Sequence, residues 1–405
     1  MRTLLFAASV LTVAAAAAAE PANYGTLAPN PVKPFAETPV ATFEFPWKLA
    51  FLPDGRMLVT EKPGRVQLVD AKGTRILVGG VPKVLYEKQA GLFGVFVAPT
   101  FRTDHGIYLT YAEPGEGGAT LAVAWATLVA DKNAARLENV KVIWREGPPG
   151  QGGQYGGLIA FAPDGKSMFM TVGDRQRFTP AQDPDQVLGK IVHLTLDGKP
   201  AADNPNAGKT GAAQVALIAP PKDTEAAKSA PVTMVTLAGP NTAPAQIWAT
   251  GFRTPYGLAF DAKGRLWEVE HGPRGGDELN LIEKGGNYGW PVVSYGVNYD
   301  GVPIAKPDAH PDFREPALYW APVIAPGGLA FHNGKMFKAW KGSALIGGLG
   351  SMTLNRITFD GDKATQADRW AMGHRIRDVE VGPDGAVYLL EDEKEGRLLK
   401  LTPAK

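Results

Sequence analysis

Short apolar runs alternate with polar positions from about residue 45 to the C-terminus, and each run breaks at a turn containing glycine or proline. In LAFDAKGRLWEVE (258–270), the residues Leu258, Phe260, Leu266 and Trp267 supply the apolar side chains of a half-buried hairpin, with Gly264 in the turn. The same strand, turn and strand recur at 48–70, 93–111, 157–174, 257–270, 328–349 and 377–401, several copies carrying Pro-Asp-Gly or a close variant at the turn. No long stretch has the 3.6-residue period of a packed helix. A unit of this size cannot bury both faces of its own sheet, so repeated copies predict radial stacking: an all-β fold, a six-bladed β-propeller. Pairing of the terminal segments would close such a ring, although the sequence does not say which strand does so.

Two segments fall outside the repeat. About 201–245 is rich in Ala, Pro, Lys and Thr and reads as an insertion between blades: an extended loop, or irregular strands around QVALIAP and PVTMVTLA. Residues 1–19 begin with Met1 and Arg2, run through an apolar stretch into an alanine tract, and precede Glu20, Pro21 and Ala22. That order predicts a secretory signal peptide and a periplasmic or secreted protein, with no membrane span after cleavage. Residues 20–44 then form a lead-in to a single propeller at 45–405.

Composition narrows the chemistry. The 42 Lys and Arg nearly balance the 41 Asp and Glu of the 405 residues, which argues against a nucleic-acid partner. There is no cysteine, so neither disulfides nor a thiol nucleophile contribute. Propellers bind ligands in the loops at one mouth of the ring. Arg253, Arg375 and Arg377 stand out there, because several guanidinium forks converging on one place suit a ligand with several carboxylates. In HGPRGGDELN (271–280) the glycines and proline permit sharp turns that free carbonyl oxygens, and Asp277 and Glu278 add the hard oxygen ligands that Ca²⁺ prefers.

With those blocks in view, the chain resembles the soluble aldose sugar dehydrogenases that use pyrroloquinoline quinone (PQQ), the glucose/sorbosone dehydrogenase family. The resemblance rests on PWKLAFLPDGRMLVTEKPGRVQLVD, KQAGLFGV, GFRTPYGLAFD, HGPRGGDELNLIEKGGNYGWPVVSYG and RIRDVEVGPDG, and it spans about Phe45 to Pro403. It implies a propeller with PQQ in a mouth-side cleft, Ca²⁺ holding and polarising it, oxidation of a sugar at C1 to the lactone, and an electron acceptor that the sequence leaves unidentified. By the same resemblance, the carbonyls of Gly272 and Pro273 bind the cofactor Ca²⁺. A structural Ca²⁺ falls to the carbonyls of Asp277 and Tyr288 with the Glu278 carboxylate, and PQQ to Gln89, Arg253, Thr254, Arg375 and Arg377.

Departures from the family pattern sit where the chemistry would be. The histidine that serves as general base in a segment like HFGGRL is Gln154 here, in QYGGLI, and the arginine of that segment is Leu158. An amide cannot take a proton near neutral pH. The lysine of a GSLK-like turn falls at Gly350, and the asparagine after the cofactor arginine is Thr254. His271, which the resemblance gives an orienting role, and Asp174 are the other groups considered as bases. Two functions follow: a PQQ-dependent dehydrogenase, or a propeller that keeps the Ca²⁺ scaffold and binds without turnover. A lactonase-type hydrolase would need a cluster of acidic and asparagine side chains, and the sequence offers none.

Overall fold

The computed structural model describes residues 20–404, so the expected export signal at 1–19 lies outside the described residues. The chain is built almost wholly of antiparallel meanders. The first meander runs Pro46–Phe51, Met57–Glu61, Arg65–Val69 and Arg75–Gly79; the second runs Leu92–Val97, Gly106–Gly115, Gly118–Ala130 and Ala135–Arg145. Their outer strands touch through a short parallel pairing, Ala135 opposite Val78 and Arg136 opposite Gly79, which merges the two into one eight-stranded sheet. Three further meanders start at Gly156–Phe161, Pro255–Phe260 and Pro326–Phe331, and the last at Ile376–Val381.

The first strand of each meander packs against the first strand of the next, and Ile376–Val381 returns to pack on Pro46–Phe51. The innermost strands therefore form a closed ring. Part of the lead-in completes the last sheet on its outer side: Phe35–Phe43 pairs antiparallel with Gly396–Pro403, Phe35 opposite Pro403 and Phe43 opposite Gly396. A strand from the start of the chain thus joins strands from its end in one four-stranded sheet.

The recurring turns have a common cause. In each of four copies the turn aspartate accepts a backbone N–H two residues on: Asp54 from Arg56, Asp164 from Lys166, Asp261 from Lys263 and Asp384 from Ala386. The turn glycine then takes a positive φ, 88° at Gly55 and 86° at Gly385, which only glycine adopts without strain.

Between sheets lie the apolar faces the alternation predicts. Leu345, Leu354, Trp370, Leu389 and Leu399 form one such layer together with Phe35 of the closing strand. The insertion contains a hairpin of its own, Gln214–Ile218 against Val232–Thr236, followed inward by a turn of 3₁₀ helix at Glu225–Ser229. No helix among the described residues is long and apolar enough to cross a membrane.

Leu399 is 1 % exposed and sits in the seam between the closing strand and the neighbouring sheet. Leu399→Ala is expected to lower stability by about 2–5 kcal/mol, read as the shift of the urea unfolding midpoint at unchanged slope.

Candidate functional site

Antiparallel order decides where chemistry can gather. The residues that begin each first strand lie at the same end of the ring as those that end each second strand. Gln89 leads into Leu92–Val97, Gln154 into Gly156–Phe161, Arg253 and Thr254 into Pro255–Phe260, and Arg375 into Ile376–Val381, while Lys62 and His271 follow second strands. These side chains, with Arg377, Trp47, Tyr256 and Tyr299, line one cavity of about 270 Å³. Larger clefts exist, one of about 410 Å³ beside the insertion hairpin and one of about 540 Å³ along the glycine-rich loops. Only the smaller cavity collects Arg253, Arg375, Arg377 and Lys62.

The arginines are held in different ways. Arg253 donates through Nη1 to the Gly272 carbonyl at 2.9 Å and through Nη2 to the Asp223 carboxylate at 2.7 Å. Its own backbone N–H donates to Glu270 Oε2 at 2.6 Å. Arg377 lies flat over Trp47, its guanidinium carbon 4.0 Å from the ring centre, and donates to Asp392 Oδ2 at 2.7 Å. Arg375 reaches the same oxygen at 3.4 Å and the Leu349 carbonyl at 3.3 Å. Burial works against charge on Asp392, yet Arg377 beside it more than offsets this and keeps the carboxyl below its ordinary value. The Nε atoms of Arg253 and Arg377 are buried without a partner, so both guanidinium groups have bonding capacity left over.

Excess positive charge has a visible effect on its neighbours. Burial, and then Arg377, lowers the Lys62 ammonium. Burial also pushes His271 down to about 3, with Arg377, Arg253 and Arg375 adding to the effect. His271 is thus neutral, and its Nε2–H donates to the Pro326 carbonyl at 2.7 Å, which fixes the tautomer. Burial raises Asp174 to about 6, against the pull of Arg253; its oxygens accept from the Gln176 N–H and the Trp290 indole.

Gln154, expected from the resemblance to stand where the family has its base, sits at φ 53°, a left-handed conformation that non-glycine residues seldom take. Its backbone N–H donates to Gln89 Oε1 at 2.7 Å, and its Nε2 donates to both oxygens of Asp223 at 3.1 Å. Leu158 is buried among Trp47 and Tyr256, on the floor below the cavity. Gly350 is packed against the backbone at Ile324, its N–H donating to that carbonyl at 2.9 Å, and takes no part in the cavity lining.

Of the expected Ca²⁺ residues, Gly272 adjoins the cavity through Arg253, and its carbonyl keeps a second lone pair for a cation. The Asp277 carboxylate is tied to the N–H groups of Gly272, Ile324 and Ala325, which holds the HGPRGG turn against the next sheet. Glu278 and Tyr288 lie away from the cavity. Glu278 stands opposite Glu270, and Glu268 opposite Asn280, on paired strands. All four are buried, and Glu268 Oε1 and Asn280 Oδ1 have no hydrogen-bond partner. Burial first and the Glu270 charge next hold the Glu268 and Glu278 carboxyls well above their ordinary value. Packed acids with orphaned oxygens are a donor set that fits a hard cation. No group of three or more acidic or histidine side chains among the described residues forms a metal cluster by itself.

Several lining residues escaped the sequence reading. Trp47, Lys62, Tyr256 and Tyr299 carry no local signal, and Asp223 lay inside the segment read as an insertion.

Comparison with known proteins places this geometry among relatives. The family model described as Glucose / Sorbosone dehydrogenase matches residues 43–217 and 222–400. Aldose sugar dehydrogenase YliI of Escherichia coli (strain K12) is 36% identical over 370 residues, covering 89% of this chain and 90% of that protein. A solved glucose dehydrogenase superposes with a TM-score of 0.79 at 40% identity, over 91% of this chain and 100% of that one. The PQQ-bound aldose sugar dehydrogenase of Streptomyces coelicolor superposes with a TM-score of 0.67 at 26% identity, over 93% and 99%.

Replacing Arg377 by alanine removes a charged donor worth about 1.5–3 kcal/mol, so PQQ is expected to bind about tenfold to a hundredfold more weakly. Quenching of tryptophan fluorescence on titration with PQQ measures this.

Proposed function

Since the chain belongs to the glucose/sorbosone dehydrogenase family, we propose that it is a PQQ- and Ca²⁺-dependent dehydrogenase on a six-bladed β-propeller, oxidising the C1 hydroxyl of aldoses to lactones. The observation that carries the reading is the convergence of Arg253, Arg375, Arg377 and Lys62 in one cavity with Gln89 and Thr254. A tricarboxylate has the charge to match them. The ring of inner strands, in which Ile376–Val381 returns to Pro46–Phe51, supports the six-bladed count.

PQQ, when bound, supplies a two-electron quinone whose carbonyl Ca²⁺ polarises. This chain's own residues bind and orient: Arg253, Arg375 and Arg377 hold carboxylates, Gln89 and Thr254 flank the cofactor, and the carbonyls of Gly272 and Pro273 hold its Ca²⁺. Asp277 and Tyr288, through their carbonyls, and Glu278, through its carboxylate, hold the structural ion. Residues 1–19 direct export, so the protein works in the periplasm or outside the cell and hands electrons to an acceptor there.

One observation favours a second reading: Gln154 replaces the base, and a propeller without a base would bind sugar or quinone with no turnover. Purified protein supplied with PQQ and Ca²⁺ decides between them. Aldose-dependent reduction of an artificial dye is expected, whereas bound PQQ that no sugar in a broad panel reduces would establish the binding module.

Calcium at about 100 times its dissociation constant is expected to stabilise the wild type by about 2.7 kcal/mol. Glu278→Gln loses most of that gain, measured as the Ca²⁺-induced rise in melting temperature.

A further inference from the structure

We propose that Asp223, carried into the cavity by the insertion, is the proton acceptor for the sugar hydroxyl and so fills the place left by Gln154. The inference rests on the dehydrogenase reading above.

Asp223 lines the cavity, and its side chain is 25 % exposed to it. Arg253 Nη2 donates to Oδ1 at 2.7 Å, and Gln154 Nε2 spans both oxygens at 3.1 Å. A carboxylate has about four lone-pair sites, and these contacts leave acceptor capacity on Oδ2. The carboxylate is therefore fixed in position and still able to take a proton. Gln154 explains itself in this arrangement. Its amide must turn N–H toward the carboxylate, which leaves Oε1 facing elsewhere; Oε1 is buried and without a partner in a residue only 3 % exposed. The left-handed backbone at φ 53° holds that amide against the carboxylate at a conformational cost, the kind of strain that collects at functional sites.

The loop that presents Asp223 is tied down on both sides. Lys222 N–H donates to the Gln176 carbonyl at 3.1 Å, and Asn298 Nδ2 donates to Glu225 Oε2 at 3.0 Å. Its rivals are engaged elsewhere. Asp174 is fully buried and accepts on both oxygens, Asp392 stands behind Arg377 and Arg375 and does not line the cavity, and His271 gives its Nε2–H to the Pro326 carbonyl.

The proton balance is simple. At the sugar's hemiacetal carbon the C1–H and O–H bonds break: the hydrogen leaves with its electron pair for the o-quinone oxidant, and the hydroxyl proton goes to an Asp223 oxygen. The C1–O single bond becomes the lactone carbonyl, and Asp223 later returns its proton to water.

Two measurements on the full-length mature protein test this. In the first, PQQ- and Ca²⁺-loaded Asp223→Asn is expected to lose about 10²–10⁴-fold in aldose-dependent dye reduction, with Asp223→Glu recovering part of it. In the second, which needs no turnover, an iminosugar with its ammonium at the anomeric position is compared by calorimetry with the neutral 1,5-anhydro sugar. The wild type is expected to prefer the iminosugar by about tenfold or more, and Asp223→Asn to lose that preference. A preference that survives Asp223→Asn, or a variant retaining more than about a tenth of wild-type dye reduction, overturns the proposal. If the wild type prefers the iminosugar but reduces no dye with any aldose, the dehydrogenase reading fails and Asp223 as its proton acceptor fails with it. The two failures are told apart by whether the wild type turns over.

Discussion

Everything at the cavity depends on a ring that closes. Each inner strand is held on both sides by its neighbours, and the last of them, Ile376–Val381, returns to pack on the first, Pro46–Phe51. With the ring closed, the starts of the first strands and the ends of the second strands are fixed around one mouth. Side chains more than 200 residues apart, such as Trp47 and Arg377, then meet at 4.0 Å. Loops alone would not hold a planar guanidinium over an indole at that distance, because the side-chain entropy lost must be offset by a rigid frame.

Charge in the mouth is arranged in two shells. Arginines face the cavity, and carboxylates stand behind or beside them: Asp392 under Arg377, Glu270 behind the Arg253 backbone, Asp223 across from its guanidinium. Removing the carboxylates would leave buried like charges to repel. With them, each guanidinium has an opposite charge beside it, and the Nε atoms of Arg253 and Arg377 still lack a partner. A second set of acids, Glu268, Glu270 and Glu278, lies on the strands beneath, where no basic side chain hydrogen-bonds to Glu268 or Glu278. One strand pair thus carries both the carboxylate that holds the Arg253 backbone and two buried acids, Glu268 and Glu278, held well above their ordinary value.

How much of this was legible in the sequence depended on whether the signal was local. The strand-turn-strand repeat was, because an aspartate and a glycine at fixed spacing write the turn directly into the chain, as at Asp54 and Gly55. Gln89, Gln154, Arg253, Thr254, Arg375 and Arg377 were recognised from short motifs, and all six line the same cavity. Phe35–Phe43 was read as part of a lead-in, since its partner is over 350 residues away and strand pairing at that range leaves no local mark. Asp223 was invisible for another reason. Its importance comes from where an alanine- and proline-rich segment folds back, and composition describes such a segment only as irregular. Trp47, Lys62 and Tyr299 were missed likewise: an aromatic in a strand, as at Trp47, or a lysine or tyrosine just outside one reads as core or surface until the ring turns it toward the mouth.

The seam between first and last strands has a consequence for how the chain can be rewired. Ala404 N–H donates to the Pro34 carbonyl at 3.0 Å, so the start of the closing strand and the end of the last strand lie side by side. The aspartate-capped turns are at the opposite end of the ring from the mouth, and a side chain added at Gly55 would meet nothing within 4 Å. Such a ring has no privileged starting point. Joining Pro34 to Ala404 and opening the chain at one of these turns gives a circular permutant whose seam has moved to another sheet, with the cavity residues still in place.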